Sequence, residues 1–259
     1  MVDELRKIGL SDLEARCFLA LHEEPKISGY EVAKRVSVSR TNVYAALRSL
    51  TERGICRAIE GDPVLYDAVP IEQLIKVLQY DFEKTTTKLS QELKTPPRPA
   101  SSFYSWQGKE AVKKAIKRLI LHAQNSIVVD IWSEDVQWVE EYLLDAEQRG
   151  VFVTLITIGE SHSPLRHVHV HRRSDEWQNM QARRFTILCD SSFSLIGSFT
   201  TDTKLSALET DHPSVIELLQ NAFYHDVIME RVERDFKEQF HNKYGKDYNM
   251  IIEPYRDKI

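Results

Sequence analysis

Cysteine and long apolar runs are scarce in this sequence. Its 259 residues include three cysteines, at positions 17, 56 and 189, and their odd number and wide spacing fit neither a disulfide framework nor a zinc site. No apolar run approaches the roughly 20 residues of a membrane-spanning helix, and no signal-peptide pattern precedes the first predicted helix. These absences predict a soluble, cytoplasmic protein with reduced cysteines, no cofactor and no membrane partner.

A strong overall charge is also missing. The formal net charge is −5, from 34 basic and 39 acidic residues, which excludes a protein that coats nucleic acid indiscriminately. Positive charge is instead local, because the segment 34–57 carries six basic residues against Glu52 alone, a net charge of +5. With 42% apolar residues, the chain is long enough for two domains with separate cores.

Three short helices are predicted around this basic segment. Ser28 and Glu31 form an S-x-x-E capping box that begins the second helix, and Ser39 is a good N-cap for the third, which ends at Gly54. Another capping box, Ser11–Glu14, begins the first helix. Apolar residues recur at helical spacing in all three, so their apolar faces are expected to form one small core.

These elements predict a helix-turn-helix with a wing. Two β-like runs, 55–59 and 64–68, follow the third helix and flank turn residues, so they are expected to form a hairpin. The third helix begins with side chains that can bond phosphates and base edges, as a recognition helix in the major groove does. The predicted contacts to double-stranded DNA come from Ser39, Arg40, Thr41, Asn42, Tyr44 and Arg48. A winged helix that docks another protein is the alternative.

Some side chains of this region are open to two interpretations. Glu60 and Asp62 at the tip of the wing repel phosphates, so we expect the wing to approach DNA weakly or through its base. Arg53 and Arg57 are either DNA contacts or solvated side chains. Tyr44 either contacts a phosphate or packs against the wing.

A continuous helix is predicted over 71–94, before the proline-rich segment 95–99. Its apolar stripe consists of Ile71, Leu74, Leu78, Phe82, Leu89 and Leu93. Such a stripe is typical of a dimerisation helix that holds two heads on half-sites about one helical turn apart, and a helix packed on its own chain is the alternative. We expect a homodimer with a winged helix at 1–70, a linking helix at 71–95 and an effector-sensing domain at 100–259.

Strands and helices alternate from residue 103 onwards. The pattern predicts strands at 103–106, 126–131 and 151–156 with helices at 109–122 and 134–149 between them. This βαβαβ order is typical of a largely parallel sheet. Further strands are predicted at 167–172, 183–189 and 193–196, and a core helix from Pro213 to about His241 closes the domain. Such domains bind ligands at the carboxyl ends of their strands, so this half is the candidate sensor.

The first half contains four further motifs: Gly9-Leu-Ser-x-x-Glu14-Ala-Arg, Arg40-x-x-Val43-Tyr44-x-x-Leu47, Arg53-Gly54 and Tyr66-x-Ala-Val-Pro70. Together they resemble the TrmB family of sugar-responsive transcriptional regulators. The second half is similar to the phospholipase-D-like effector domain found in that family. The resemblance implies an α+β and α/β protein with a winged helix-turn-helix, a linking helix and a phospholipase-D-like α/β domain. It also implies a dimer whose DNA affinity changes when a small ligand, often a sugar, binds the distal domain.

The phospholipase D resemblance raises the question of catalysis. An active half-site of that superfamily reads H-x-K-x4-D-x6-G-[ST], and here Asp190 and Gly197-Ser198 fit this frame. Arg183, however, stands at the position of the His and Phe185 at that of the Lys. A guanidinium cannot act as the nucleophile and a phenyl ring cannot bind phosphate as a cation, so we expect no enzyme. Arg183, Asp190 and Ser198 either line a pocket for a polar or anionic effector, or Arg183 and Asp190 form a structural ion pair.

Histidines form a further cluster, at His162, His167, His169 and His171. The alternation over 167–171 places three imidazoles on one face of a strand, which is either a zinc, nickel or copper site or a hydrogen-bonded polar face. The wide spacing along a strand favours the polar face. His169 is also a candidate effector contact, and Trp177, in a polar run, is the tryptophan best placed to stack on a sugar ring.

Together these patterns predict a sequence-specific, DNA-binding transcriptional regulator controlled by a small effector. An architectural DNA-binding protein without an effector is the first alternative. A phosphodiesterase-like enzyme is the second.

Overall fold

The computed structural model describes residues 1–94, 96, 101–171, 183–199, 205–245 and 248–255. The chain divides into two units, Met1–Pro96 and Pro97–Ile259. Each unit has its own hydrophobic core. None of the described helices is both long and apolar enough to cross a membrane.

The first unit is a winged helix-turn-helix followed by a long helix, as predicted. Its elements are α1 (Val2–Lys7), α2 (Asp12–Glu23), β1 (Ile27–Ser28), α3 (Gly29–Val36), α4 (Arg40–Glu52), β2 (Cys56–Ile59), β3 (Leu65–Ala68) and α5 (Ile71–Glu92). Strands β1 and β2 pair antiparallel with β3 on either side of it. The predicted two-stranded wing is therefore part of a three-stranded sheet. Sequence analysis missed α1 and the two-residue strand β1.

Local side-chain chemistry sets the ends of the central helices. The boxes Ser11–Glu14 and Ser28–Glu31 both form in full, with the Ser hydroxyl accepting from the Glu amide and the Glu carboxylate accepting from the Ser amide. At the start of α4, the Ser39 hydroxyl accepts from the Asn42 amide. These bonds satisfy amides that a helix leaves without intrahelical partners, so the three helices begin where the sequence predicts.

The core of the first unit joins all of its helices. Its largest fully buried side chains are Phe18, Leu21, Leu47 and Leu50. Cys17 and Cys56 are free thiols in this core. Burial raises the pKa of Cys17 to about 11 and that of Cys56 to about 12, so both remain protonated and unreactive at neutral pH.

Glu14 is a buried carboxylate that ties α2 to α4. It accepts a hydrogen bond of 2.6 Å from the Ser49 hydroxyl and one of 2.7 Å from the Ser11 amide. Arg53 Nη1 lies 3.4 Å from its Oε2. Burial raises the pKa of this carboxyl, but the hydrogen bonds from Ser49 and Ser11 and the Arg53 guanidinium outweigh burial and hold the pKa below its ordinary value.

Replacing Glu14 by Gln is expected to destabilise the winged helix in a pH-dependent way. The folded carboxyl binds fewer protons than the unfolded one, so its contribution is complete above the ordinary pKa of 4.5 and is lost as pH falls through the lower, folded pKa. We expect Glu14→Gln to lower the free energy of unfolding at neutral pH by about 1–3 kcal/mol, and the difference to shrink on acidification. Thermal unfolding at pH 7 and at about pH 3.5 measures it. Glu4→Gln, on an exposed surface, is the control, and an equal loss at both pH values contradicts the prediction.

Helix α5 is anchored to the winged helix at one end only. Leu74 is buried, and Ile71 and Leu78 pack against the same core. Further along the stripe, Phe82 is 71% exposed and Leu93 is 70% exposed. The second half of the predicted apolar stripe is therefore uncovered in the single chain.

The second unit alternates strands and helices. Its elements are β4 (Phe103–Gln107), α6 (Lys109–His122), β5 (Ser126–Trp132), a 3₁₀ helix (Ser133–Trp138), α7 (Glu140–Gln148), β6 (Phe152–Ile158), β7 (Val168–His171), β8 (Arg184–Cys189), β9 (Phe193–Ser198), β10 (Ser206–Thr210), α8 (Pro213–Tyr244), α9 (Asn249–Ile252) and a 3₁₀ turn (Glu253–Tyr255). The α/β fold class is confirmed.

The prediction of a largely parallel sheet is wrong. The strand order is β4-β10-β9-β8-β5-β6-β7, and of the described pairs β5 with β6 and β6 with β7 are parallel, whereas the others are antiparallel. The tight turn at 190–192 joins β8 and β9 into a hairpin, which forces them antiparallel. Strand β10, which was not predicted, separates β4 from the rest of the sheet.

The closing helix α8 is less buried than predicted. Ile216 is buried, but Leu218 is 67% exposed and Ile228 is 60% exposed. The backbone of Phe236 leaves helical geometry, so the helix is interrupted there. The helix lies against β7 and β9 and covers part of one face of the sheet, so the prediction that it is a core helix holds only for its inner side.

Candidate functional sites

Helix α4 presents a polar face to solvent. Its buried side consists of Val43, Ala46, Leu47 and Leu50. The six predicted DNA contacts are all exposed: Ser39, Arg40, Thr41, Asn42, Tyr44 and Arg48. Arg40, Tyr44 and Arg48 follow one another at a spacing of four residues, so they lie in a row along this face.

Arg40 is held by an aromatic ring that sequence analysis missed. The Arg40 guanidinium lies 4.2 Å from the centre of the Tyr30 ring, on the first turn of α3. Tyr30 remains 50% exposed. A cation over an aromatic face is stabilised electrostatically, so Tyr30 restricts Arg40 while leaving it accessible. The available signal was an aromatic residue beside Glu31 in the first turn of α3, off the apolar face that Val32, Ala33 and Val36 form.

Tyr44 packs against the start of α3. A Cβ atom on Gly29 would lie 2.5 Å from Tyr44 Cε1, so the ring lies directly over the Gly29 backbone. The side chain is still 42% exposed. Tyr44 therefore both joins α3 to α4 and stays available on the polar face.

The basic residues of the first unit fall into two groups. Between residues 12 and 68, four are bonded within the unit: Arg16 to the Val36 carbonyl, Arg35 to Glu24, Arg53 to Glu14 and the Gly9 carbonyl, and Arg57 to Asp67. For Arg53 and Arg57 these bonds favour a structural role over DNA contact. Within the part of the chain that is described, no carboxylate lies within 4.0 Å of Lys34, Arg40 or Arg48. The positive charge of α3 and α4 is therefore not neutralised where the polar side chains are exposed.

The wing offers no comparable positive charge. Glu60 and Asp62 are exposed at its tip. At its base, Arg57 Nη2 lies 2.7 Å from Asp67 Oδ2. These contacts support the expectation that the wing approaches a phosphate backbone only weakly.

In the second unit, the structure separates two predicted effector residues. Arg183 precedes β8 and Asp190 follows it, and at about 3.3 Å per residue they lie roughly 23 Å apart. Arg183 and Asp190 therefore form neither one pocket nor an ion pair with each other. The six residues between them in the phospholipase D pattern correspond to the whole length of β8. Ser198 is the residue brought near Arg183, since its hydroxyl donates to the Arg183 carbonyl over 3.2 Å.

Asp190 is bonded to the backbone at the start of β5. Its carboxylate accepts hydrogen bonds of 2.9, 2.7 and 2.9 Å from the amides of Gln124, Asn125 and Ser126. Burial raises the pKa of Asp190, but these three bonds outweigh burial and keep it below its ordinary value. Asp190 therefore fastens the β8–β9 turn to the segment before β5.

Replacing Asp190 by Ala is expected to destabilise the second unit by about 3 kcal/mol, because three amides lose a charged acceptor. Asp190→Asn should lose less, since its amide oxygen can still accept from Asn125 and Ser126. Thermal unfolding of both variants measures these losses. Ser192→Ala, in the same turn, is the control. An Asp190→Ala variant as stable as the wild type would show that these hydrogen bonds do not hold the turn.

Arg183 pairs with acids that sequence analysis missed. Its Nε lies 3.3 Å from Asp135 Oδ2, and its Nη1 lies 3.8 Å from Glu134 Oε2. Burial raises the pKa of Asp135, and the neighbouring guanidinium only partly offsets this. The available signal was an acid placed just after the carboxyl end of a buried strand.

Phe185, at the position of the phospholipase D lysine, is part of the hydrophobic core. Phe185 is buried, and its ring centre lies 4.6 Å from that of Phe199. A Cβ atom on Gly197 would lie 2.4 Å from the Phe185 ring. Gly197 therefore makes room for a core phenyl group, where the superfamily pattern has a phosphate-binding cation.

His169 and His171 lie in β7 and His167 directly precedes it, and the three have different partners. His169 Nδ1 lies 3.5 Å from Glu230 Oε2, and His171 Nε2 lies 3.6 Å from Asp226 Oδ1, both on α8. The His167 ring centre lies 4.7 Å from that of Phe152. Over the described ranges, no three His, Cys, Asp or Glu side chains come together as a metal site. These contacts favour the polar face over the metal site.

Two spaces in the second unit differ in size. One, of about 50 Å³, lies between the sheet and α8 and includes Asp130, Thr186 and Asp226, which is small beside the roughly 300–1,000 Å³ of small-molecule sites. The other is an open groove of about 320 Å³ over β4, β8, β9 and β10. Its polar lining consists of Ser105, Arg184, Ser198 and Ser206. Trp177 lies outside the described residues.

Comparison with known proteins matches both units. Residues 5–72 match the family described as sugar-specific transcriptional regulator TrmB, and residues 103–228 match the N-terminal subdomain of the TrmB effector-binding domain. The uncharacterized protein YrhO of Bacillus subtilis is 26% identical over 251 residues, covering 95% of this chain and 91% of YrhO. The sugar-sensing transcriptional regulator TrmBL1 of Pyrococcus furiosus is 22% identical over 172 residues, 64% of this chain and 49% of TrmBL1.

Solved structures show more distant likenesses. The archaeal chromatin protein TrmBL2 is 16% identical with a TM-score of 0.39, covering 87% of this chain and 95% of that one. Nuc of Salmonella typhimurium, a phospholipase D family member, is 17% identical with a TM-score of 0.39, covering 49% of this chain and 94% of Nuc. The two family matches together span the winged helix and most of the α/β unit, and this chain belongs to the TrmB family of transcriptional regulators.

Proposed function

We propose that this protein is a homodimeric regulator that binds a specific operator and changes its affinity when a small ligand, a sugar in the first instance, binds the second unit. The observation that carries the DNA-binding part is the uncompensated charge of Lys34, Arg40 and Arg48 beside the exposed polar face of α4. In this mechanism α4 enters the major groove, where arginine can read guanine and asparagine can read adenine.

The uncovered stripe of α5 supports the proposed dimer. Phe82 and Leu93 expose most of their surface, and pairing two such helices would bury it. Two heads joined in this way would read half-sites about 34–36 Å apart. The dimer also supplies a means of regulation, because a ligand that favours one separation of the heads changes operator affinity.

The test of selective binding is enrichment of bound duplexes from a random DNA library by the purified full-length protein. We expect one motif with two related half-sites. Retention of DNA without any enriched motif would contradict a specific regulator and support an architectural protein.

The sugar is proposed to bind the open groove over β8, β9 and β10. Three serine hydroxyls and Arg184 line it, and hydroxyl-rich ligands need such donors and acceptors. A panel of sugars should include one that shifts both the melting temperature and the operator affinity, with Ser198→Val and Ser206→Val reducing both shifts. If no sugar in the panel changes either quantity, the effector-free architectural alternative gains support.

A further inference from the structure

Helix α6 carries a concentration of positive charge that none of the sites above uses. Over 109–118 it has five basic residues against Glu110 alone, a net charge of +4, in a chain whose net charge is −5. The helix buries Val112, Ala115, Ile116, Leu119 and Ile120 against the core of the second unit. The five basic residues are all exposed: Lys109, Lys113, Lys114, Lys117 and Arg118.

Most of this charge is not neutralised by acids. Arg118 pairs with Glu209, whereas no carboxylate in the described ranges lies within 4.0 Å of Lys109, Lys113, Lys114 or Lys117. Glu110 and Lys114 have the spacing of an i,i+4 pair but do not form one. An ordinary solvated helix face carries charges of both signs in such pairs, so this face has a different composition.

Aromatic rings lie between the cations. Lys109 Nζ is 5.6 Å from the centre of the Trp138 ring, and Lys117 Nζ is 5.7 Å from that of Tyr142. Arg118 Cζ is 5.5 Å from the Trp106 ring. These contacts orient long side chains without cancelling their charge, which lowers the entropy lost when the cations bind an anionic surface.

The arrangement along the helix is suited to an extended polyanion. Lys109, Lys113 and Lys117 are spaced by four residues, about 6 Å of helix axis at each step. A single small anion would be held by two or three converging cations, whereas a row of lysines on a convex helix contacts successive charges of a polymer. Lysine is the point charge that phosphate-backbone contacts commonly use.

We propose that the exposed basic face of α6, defined by Lys109, Lys113, Lys114 and Lys117, binds the phosphate backbone of double-stranded DNA as a second contact surface, in addition to the helix-turn-helix. This extends the proposed function, since it assigns part of the DNA affinity to the α/β unit. The contact reads no bases, so it strengthens binding to all sequences to a similar degree.

The test compares three full-length proteins on the same duplexes. The first is the wild type, and the second is the triple variant Lys113→Ala, Lys114→Ala, Lys117→Ala. The third is a control that removes three charges from α8 of the same unit, Arg231→Ala, Arg234→Ala, Lys237→Ala. Two of the control residues are already paired, Arg231 with Asp235 and Arg234 with Glu230. Both variants change the net charge equally, and their melting curves establish that they fold.

The salt dependence of DNA binding is the readout. Each lost phosphate contact reduces the slope of log K against log salt by about 0.9. The α6 variant should therefore lose about 2–3 from the slope for each protomer that contacts the duplex, or about 5 in the dimer, while the control keeps the wild-type slope. Its preference for the enriched duplex over a scrambled one should be unchanged. Equal slopes in all three proteins would overturn the inference, as would a smaller assembly of the α6 variant in size-exclusion chromatography, which would assign this face to a second copy of the chain.

The same measurements separate this inference from the proposed function. If the wild type binds both duplexes equally but the α6 variant still loses slope, the specific regulator fails and the α6 contact stands. If the wild type prefers the enriched duplex and the α6 variant keeps its slope, the regulator stands and the α6 contact fails. Absence of any DNA binding by the wild type overturns both.

Discussion

Replacing Arg40 by Ala is expected to weaken the operator-binding free energy of a dimer by about 2–6 kcal/mol. An arginine that reads a guanine contributes about 1–3 kcal/mol, and each of the two heads loses one such contact. At tenfold for each 1.4 kcal/mol, this is a loss of about 30-fold to 10⁴-fold. Arg40 is placed for this role by its exposure on α4 and by its contact of 4.2 Å with the Tyr30 ring. Anisotropy titrations with the enriched duplex measure the loss.

Companion variants distinguish a base contact of Arg40 from a general effect of removing one positive charge. Arg35→Ala removes the same charge from a residue already paired with Glu24, so its affinity should stay near that of the wild type. Tyr30→Phe keeps the ring under Arg40 and should bind normally, whereas Tyr30→Ala should show part of the Arg40→Ala loss. An Arg40→Ala variant that loses no more than Arg35→Ala would remove Arg40 from the interface.

Placing a charge in the stripe of α5 is the second change with a large expected effect. Phe82 is 71% exposed in the single chain and lies in line with Ile75 and Leu89, so Phe82→Lys would oppose its own copy across a dimer seam. We expect the protein to become monomeric. Operator affinity should then fall by about 10²–10⁴-fold, because the second head no longer binds intramolecularly.

Thr87→Lys is the matched control for this variant. It adds the same charge to an exposed position on the opposite side of α5 and should leave the dimer intact. Sedimentation equilibrium measures the mass of each protein, and melting curves establish that the winged helix remains folded. A Phe82→Lys protein that stays dimeric would show that the stripe is not the seam, and a monomeric wild type would contradict the dimer itself.

The winged helix could be predicted because its signals are local. The two capping boxes that begin α2 and α3 each lie within four residues of sequence, and both form as expected. The start of α4 is marked by the polar side chains of residues 39–42, which are exposed in the structure. Short-range chemistry of this kind does not depend on which distant segments the chain brings together.

The sheet of the second unit depends on distant pairing, and there the sequence was less informative. Strand β10 was missed because its inward side carries Glu209, which accepts from the Trp106 indole and pairs with Arg118. A buried acid interrupts the apolar alternation by which strands are recognised. When β10 is left out, the sequence pattern offers β4 only β5 as a pairing partner. The helix between β4 and β5 then predicts a parallel sheet.

The candidate effector residues show a similar limit. A motif frame fixes positions along the chain, but Arg183 and Asp190 lie at opposite ends of one strand. The partner of Arg183 is Asp135, which precedes it by 48 residues of sequence and comes next to it only because β5 and β8 are neighbours. Tyr30 was missed for a related reason, since its contact with Arg40 joins two helices.

The most direct test of DNA reading by α4 is anisotropy of the full-length protein on DNA from upstream of its own gene and on a scrambled duplex of equal composition. The titrations are made at several salt concentrations, with the wild type and Arg40→Ala. Selective binding by the wild type that disappears in Arg40→Ala, while affinity for the scrambled duplex changes little, is the predicted result. Equal loss of affinity for both duplexes would contradict base reading by α4, because it would reduce Arg40 to a phosphate contact.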